Sequence, residues 1–280
     1  MSGNLGNLLG DKLETGTVLD MSRQLIIKEG VGMVMRYTMG VHIKANSLKV
    51  GMFDLRGHYL HFWEEDLDIH EPGLVVERLS AGVKYLVEYR GSKYENVAGI
   101  GITIDGEVDF NNGVVTTAPE MKWKKVPITA MAQGLLEKPV FVDDLLNVIA
   151  LAEMKEGAGW GQRNTITVYF GDRVEVRVIQ DGRLLREEIE LFTGDAGDYG
   201  TVKEWDRKLF PELRRLAGEM SPGVIVFHGL QGLGNENCWR NVNLSWHRHA
   251  GKNMPDILPA ELGEEAPLSG AAVLVTSEIK

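Results

Sequence analysis

Cysteine is nearly absent: Cys238 is the only one in 280 residues. A single thiol makes no internal disulfide, and a four-ligand zinc site built on it would need several histidines or carboxylates gathered around it. Long apolar runs are also missing; none approaches the roughly 20 residues that cross a bilayer as a helix. Met1 to Lys12 has no basic stretch leading into an apolar one, so no secretory leader is expected there. These absences point to a reducing, cytoplasmic setting without membrane attachment. Basic excess is lacking too. Lys and Arg number 30 against 40 Asp and Glu, a formal net charge of −10. A protein whose whole surface grips nucleic acid needs clustered Lys and Arg; here the charge is read as serving solubility. Low-complexity segments and short-period repeats are absent as well.

What is present is an ordinary globular composition, 44% hydrophobic and 25% charged, long enough for one large domain or two modest lobes. Residues 1–36 are loosely patterned, with scattered glycines, and only Ser22 to Lys28 has the makings of a short element. From Tyr37 the pattern sharpens. Thr38 to Ile43 and Leu48 to Leu55 read as a strand hairpin, and Tyr59 to Asp66 as a third strand. Pro72 to Tyr89 reads as a helix with Leu74, Val75, Leu79, Val83, Leu86 and Val87 near one face. Asn96 to Ile104 and Val140 to Val142 read as buried strands, the latter followed by a helix from Leu145 to Lys155. A second hairpin is expected from Asn164 to Phe170 and Glu175 to Gln180. After it come a helix over Trp205 to Met220, a strand over Val224 to Phe227 and a closing helix over Pro267 to Ser277. Hairpins that lead into helices, twice over, predict an α/β protein of two similar lobes. The hairpins near residues 45 and 172 hint at internal duplication.

Several segments carry a family resemblance in order and spacing. They are Met39 to Gly57, Gly99 to Asp109, Thr117 to Ile128, Pro139 to Glu153 (P-V-F-V-D-D-L-L-N-V-I-A-L-A-E), Asn164 to Arg183, and Met254 to Ile279, ending in L-S-G-A-A-V-L-V-T-S-E-I. The series resembles the ROK family of repressors, open reading frames and kinases. Membership implies a two-lobed actin-like ATPase, or sugar-kinase, fold with ribonuclease H-like lobes. Residues 37–136 with 264–280 are expected as the first lobe and 137–263 as the second. The family's cleft holds ATP in one half and a sugar in the other.

Against that template the catalytic groups have changed. The family's first phosphate turn, an Asp followed by glycines, is matched by His42, Lys44, Ala45 and Asn46. The second, Gly-Thr-Gly and a glycine run, is matched by Gly171-Asp172-Arg173 and then Glu175-Val176-Arg177. Glycine lets a backbone approach phosphate and aim N–H groups at it, so both turns read as degenerate. A sugar kinase also needs a carboxylate to take the hydroxyl proton. The family's base, in a Glu-Asn-Asp-Ala segment, falls on Leu145 of Asp143-Asp144-Leu145-Leu146; a slip of one residue would bring in Asp144. The family's zinc histidine falls on Asp198 of Gly194-Asp195-Ala196-Gly197-Asp198, its cysteine cluster is missing, and no zinc is expected. His247 and His249 beside Cys238 match no zinc module and read as surface histidines on a loop. On the adenosine side, His228 and Leu230 stand where small residues would let a nucleotide lie close.

On the sugar side the resemblance places Glu120, Trp123, Asp143, Asp144, Asn147, Asp195 and Asp198 as candidate ligand contacts. Polar groups in a cleft orient a small molecule. The competing reading makes Asp143 and Asp144 helix caps and the other acids solvated turn residues. Several acids converging in one cleft would favour a cationic ligand. The expectation is a non-catalytic relative that senses or scaffolds around a sugar-like small molecule and forms a homodimer, with no cofactor. The alternative is an ATP-dependent sugar kinase of glucokinase or N-acetylmannosamine kinase type, and only that alternative calls for ATP and magnesium. The family's repressors carry a winged helix-turn-helix, which residues 1–36 do not resemble, so direct DNA binding is not expected.

Overall fold

The computed structural model describes residues 26–28, 33–67, 70–171, 173–193, 205–229, 238–249 and 254–279. A short antiparallel pair, β1 (Ile26–Lys28) and β2 (Met33–Met35), precedes the first large sheet. That sheet is built from β3 (Tyr37–Ile43), β4 (Ser47–Asp54), β5 (Tyr59–Asp66), β6 (Val97–Ile104) and β10 (Val140–Asp144). Its spatial order is β10-β6-β3-β4-β5. Strands β3, β4 and β5 run antiparallel in turn, whereas β6 and β10 add in parallel on the other side. Between β6 and β10 lie a three-stranded sheet of β7 (Glu107–Asp109), β8 (Val114–Ala118) and β9 (Trp123–Val126), and α2 (Ile128–Leu136). Helix α1 (Pro72–Tyr89) starts at a proline, whose fixed φ suits a first helical turn, and buries Val75, Leu79, Val83 and Leu86.

The second large sheet repeats the connectivity of the first. It holds β11 (Thr165–Phe170), β12 (Arg173–Gln180), β13 (Arg183–Thr193), β14 (Val224–His228) and β15 (Asp256–Pro259), in the order β13-β12-β11-β14-β15. Again three strands are antiparallel in turn and two add in parallel beside the first of them. The duplication hinted at by two hairpins is thus a property of both whole sheets. Its core gathers Ile166, Val168, Phe170, Phe210, Trp246 and Ile257, with α4 (Phe210–Met220) supplying Phe210 and α5 (Cys238–His249) supplying Trp246.

Two helices lie between the sheets. Helix α3 (Leu145–Glu156) and the last helix, α6 (Ala266–Glu278), pack closely against each other. Alanine, glycine and serine fill much of α6, and it is buried continuously from Ala266 to Val275. It sits directly on the first sheet at two bare glycines. A Cβ on Gly40 would stand 2.0 Å from the Leu268 carbonyl oxygen, and one on Gly101 would stand 1.8 Å from that of Ala271. On the other side, Gly270 of α6 lies as close to the carbonyl of Val148 in α3.

The sequence reading differs from the structure in several places. The first sheet runs on past residue 137, because β10 pairs with β6; the chain crosses to the second sheet only after α3. The expected helix Trp205–Met220 begins as a π-helical turn, Trp205–Leu209, and becomes α-helical next to Pro211, which lacks the N–H an interior position would donate. Strands β7, β8, β9, β13 and β15 and helix α5 were not expected. His247 lies on α5 rather than on a loop, exposed, with its Nδ1 2.8 Å from the Asn243 carbonyl. No helix among the described residues is long and apolar enough to cross a membrane.

Candidate functional site

A cavity of about 600 Å³ opens where the two sheets face each other across the start of α3. The β6–β7 turn contributes Asp105, Gly106 and Glu107, and the segment after β8 contributes Thr117, Pro119 and Glu120. The opposite wall is Tyr169, Gly171, Arg173, Glu175 and Arg177 from the β11–β12 hairpin, and its floor is Asp144, Leu145 and Leu146.

Neighbouring residues at the end of β10 point different ways, which separates the two aspartates. Asp143 is 1% exposed and faces inward. Its carboxylate accepts from Asn147 Nδ2 at 2.7 Å, Arg186 Nε at 2.9 Å and its neighbour's backbone N–H at 3.0 Å. Burial pushes its carboxyl pKa up, and the Asn147 hydrogen bond and the Arg186 guanidinium oppose that rise. Arg186 also reaches Glu278 at 3.0 Å and lies over the Phe110 ring, so Asp143 ties β10 to β13 and α6. Asp144 faces the cleft and caps α3, its Oδ1 accepting the Asn147 backbone N–H at 2.9 Å. This is the arrangement an N-cap aspartate favours. Leu145, the next residue, puts an apolar side chain on the same floor.

The second hairpin carries an arginine at the last matched glycine. Arg177 is 4% exposed. Its Nε donates to Asn147 Oδ1 at 2.9 Å and its Nη1 to the Val176 carbonyl at 3.2 Å. Its Nη2 stands 3.7 Å from Glu175 and 3.9 Å from Asp144. Asn147 therefore bridges Asp143 and Arg177 behind the cleft wall. At the tip, the Gly171 N–H donates to the Arg173 carbonyl at 3.1 Å. Tyr169 stacks on His228 with ring centroids 5.0 Å apart and planes 12° apart. Burial raises the Tyr169 phenol pKa, and the Asp105 and Glu175 carboxylates add to the rise. His228 is pushed the other way by burial, below the ordinary histidine value, and among the described residues its buried Nδ1 has no hydrogen-bond partner. Gly229 follows at φ +86°, where a Cβ would meet the Phe170 carbonyl at 2.3 Å.

A second cavity, about 410 Å³, is the counterpart of the first under the duplication. Here the β3–β4 hairpin, with His42, Lys44, Ser47 and Lys49, overhangs the start of α6 at Glu265, Leu268 and Ser269. His42 is nearly buried, its Nε2 3.5 Å from Asp105, while Lys44 and Asn46 are exposed at the tip. Glu156 accepts from Ser269 Oγ at 2.7 Å; its other oxygen is buried with no partner among the described residues, and burial raises its pKa.

Of the candidate ligand contacts, Glu120 and Asp144 line the larger cavity. Asp143 and Asn147 lie one layer behind it. Trp123 is 3% exposed in the first core, its Nε1 donating to the His70 carbonyl at 3.1 Å, and it does not line the cleft. Asp172, Asp195, Asp198 and Leu230 lie outside the described residues. Sequence reasoning did not single out Asp105, Glu107 and Tyr169 as cleft residues. Asp105 had a signal, an acid in a glycine turn directly after a buried strand; Tyr169 had none, since an aromatic at a strand end reads as core. Among the described residues, no three His, Cys, Asp or Glu side chains gather as a metal-binding group.

A glucokinase of Halalkalibacterium halodurans is 25% identical over 169 residues, covering 60% of this chain and 50% of that one. A putative xylose repressor of Caldicellulosiruptor sp. is 28% identical over 140 residues, covering 49% and 33%. The chain thus spans half or less of the length of these two relatives. Among solved structures, the ROK hexokinase of Thermus thermophilus superposes with a TM-score of 0.70 at 21% identity, covering 85% of this chain and 97% of that one. The duplicated sheets, with helices crossing between them, are the two-lobed sugar-kinase form of the actin-like ATPase fold. The family model described as "ROK family" matches residues 38–200, a stretch that takes in both hairpins, the cleft floor and more than half the chain. The chain belongs to the ROK family.

Proposed function

We propose that the cleft binds a sugar-like small molecule and that the protein acts as a sensor or scaffold rather than as a phosphoryl transferase. The observation that carries this is the floor of the cleft. Leu145 occupies the place the family resemblance assigns to the general base, and Leu accepts no proton. The carboxylate beside it, Asp144, is engaged in capping α3. The filled hairpin supports the same reading, because Arg177 stands buried and hydrogen-bonded where the family has glycine to receive phosphate. A homodimer is part of the proposal, since a non-catalytic member needs a retained surface through which to act; light scattering that finds a monomer at high concentration counts against that part.

A sugar-kinase reading rests on one specific observation: Asp144 does line the cleft. One experiment separates the two. The protein is titrated with common hexoses and with ATP by calorimetry, and ADP release is followed with and without sugar. Sugar binding without sugar-dependent ADP release is the expected result. If turnover is found, Asp144→Asn decides its origin. Asn caps a helix nearly as well as Asp, so the fold survives, whereas loss of a true base lowers the rate by about 10²–10⁴-fold.

A further inference from the structure

The charge around the cleft narrows the ligand further, on the reading that the cleft takes a sugar. Five carboxylates line the cavity, Asp105, Glu107, Glu120, Asp144 and Glu175, against two guanidiniums, Arg173 and Arg177. Arg177 is buried in the wall and spends its hydrogen bonds on Asn147 and a backbone carbonyl, with Glu175 and Asp144 as its nearest carboxylates. It offsets the inner acids and leaves the outer ones. Glu120 is exposed and, among the described residues, has no ion-pair partner; Glu107 meets only the Thr116 hydroxyl, at 3.5 Å. These two sit on the first-sheet wall, facing the hairpin across the opening. Deeper in, the Tyr169 phenol, its pKa raised first by burial, lies near an acid from each wall, Asp105 and Glu175.

A cavity of one prevailing sign concentrates ligands of the other and repels those of its own. A phosphorylated sugar would bring a dianion toward a lining of five carboxylates and two guanidiniums. A neutral hexose would gain hydrogen bonds but nothing from the field. The described carboxylates are spread around the cavity rather than converging on a point, which suits an organic cation better than a metal ion. We propose that the cleft selects a sugar bearing a protonated primary amine over neutral and phosphorylated sugars, with Glu107 and Glu120 as the selecting carboxylates.

Calorimetry on the full chain tests this with four probes of one ring type, glucosamine, N-acetylglucosamine, glucose and glucose 6-phosphate, at a pH where the free amine is charged. Glucosamine is expected to bind about tenfold or more tightly than its acetylated form and glucose, with the phosphate weakest, and added salt should shrink the gap. In the double variant Glu107→Gln, Glu120→Gln the glucosamine affinity should fall to that of glucose measured on the same variant. Both positions are exposed, and matching circular dichroism with an unchanged unfolding midpoint confirms that the variant is folded. Equal affinity for amine, amide and neutral sugar overturns the inference and leaves the sugar-binding reading intact. Tighter binding of the phosphate also overturns it, as does a preference that survives the double variant. If none of the four binds, both the inference and the reading it rests on fall.

Discussion

Arg177 shows how one substitution reshapes a site. Where the family resemblance expects glycine, a guanidinium runs along the hairpin and closes on Asn147, which itself holds Asp143. Arg177→Ala would leave a buried amide oxygen unmatched and two carboxylates without their nearby cation. We expect a loss of about 2–3 kcal/mol in stability, measured by denaturant unfolding. For the same reason Leu145→Asp alone is expected to leave sugar-dependent ADP release at background in a coupled assay, since a new base does not reopen the hairpin. His228 yields a pH prediction. Burial lowers its pKa below the ordinary 6.5, so the unfolded chain takes up a proton in a range where the folded one does not. Its contribution to stability is therefore complete above about pH 6.5 and is lost as pH falls below that. His228→Phe should show a smaller drop in unfolding temperature between pH 7 and pH 5 than the parent chain. At this scale the sequence was legible where an acid precedes a helix, as Asp144 does in capping α3. Trp123 and Asp143 were not, because burial reassigns a polar or aromatic side chain to a neighbour that spacing cannot name: the His70 carbonyl in one case, Arg186 in the other.

Elements were readable in proportion to how fully they are buried. Strand β6 is buried along its whole length and α1 has a clean apolar face; both lie within one residue of the limits read from sequence. The missed elements, β7, β9 and β15 among them, are short, with charged residues in or beside them, so alternation has too few positions to register. β13 is long, but it is an edge strand whose sequence, with Arg and Glu interspersed, breaks the alternation. Glycine has opposite meanings in different elements. At Gly101 of β6 its bareness is what lets α6 approach, so Gly101→Ala must displace a helix backbone and is expected to cost about 1–3 kcal/mol or more. Gly134 in α2 is exposed, with nothing within 4 Å of an added Cβ. Gly134→Ala should instead stabilise by about 1 kcal/mol, because alanine loses less backbone freedom in a helix. Thermal unfolding of the pair, side by side, checks both signs.

Across the whole molecule, the two sheets with like connectivity each place a hairpin above the start of a central helix. Two hairpins in sequence pointed to this, and the long-range pairings of β14 and β15 complete it, though no local pattern records them. The crossing of α3 and α6 has a further consequence, in time rather than in space. Helix α6 fills the face of a sheet whose last strand, β10, ends at Asp144, yet α6 begins only at Ala266. During synthesis at about 5–20 residues per second, the first sheet waits on the order of ten seconds with Gly40, Gly51 and Gly101 uncovered. The first half emerges first and finishes last. A chaperone that shields apolar strands on the ribosome would act on this interval, and a nascent chain stalled before Ala266 should be cut by protease within β3, β4 and β6, while the released chain resists.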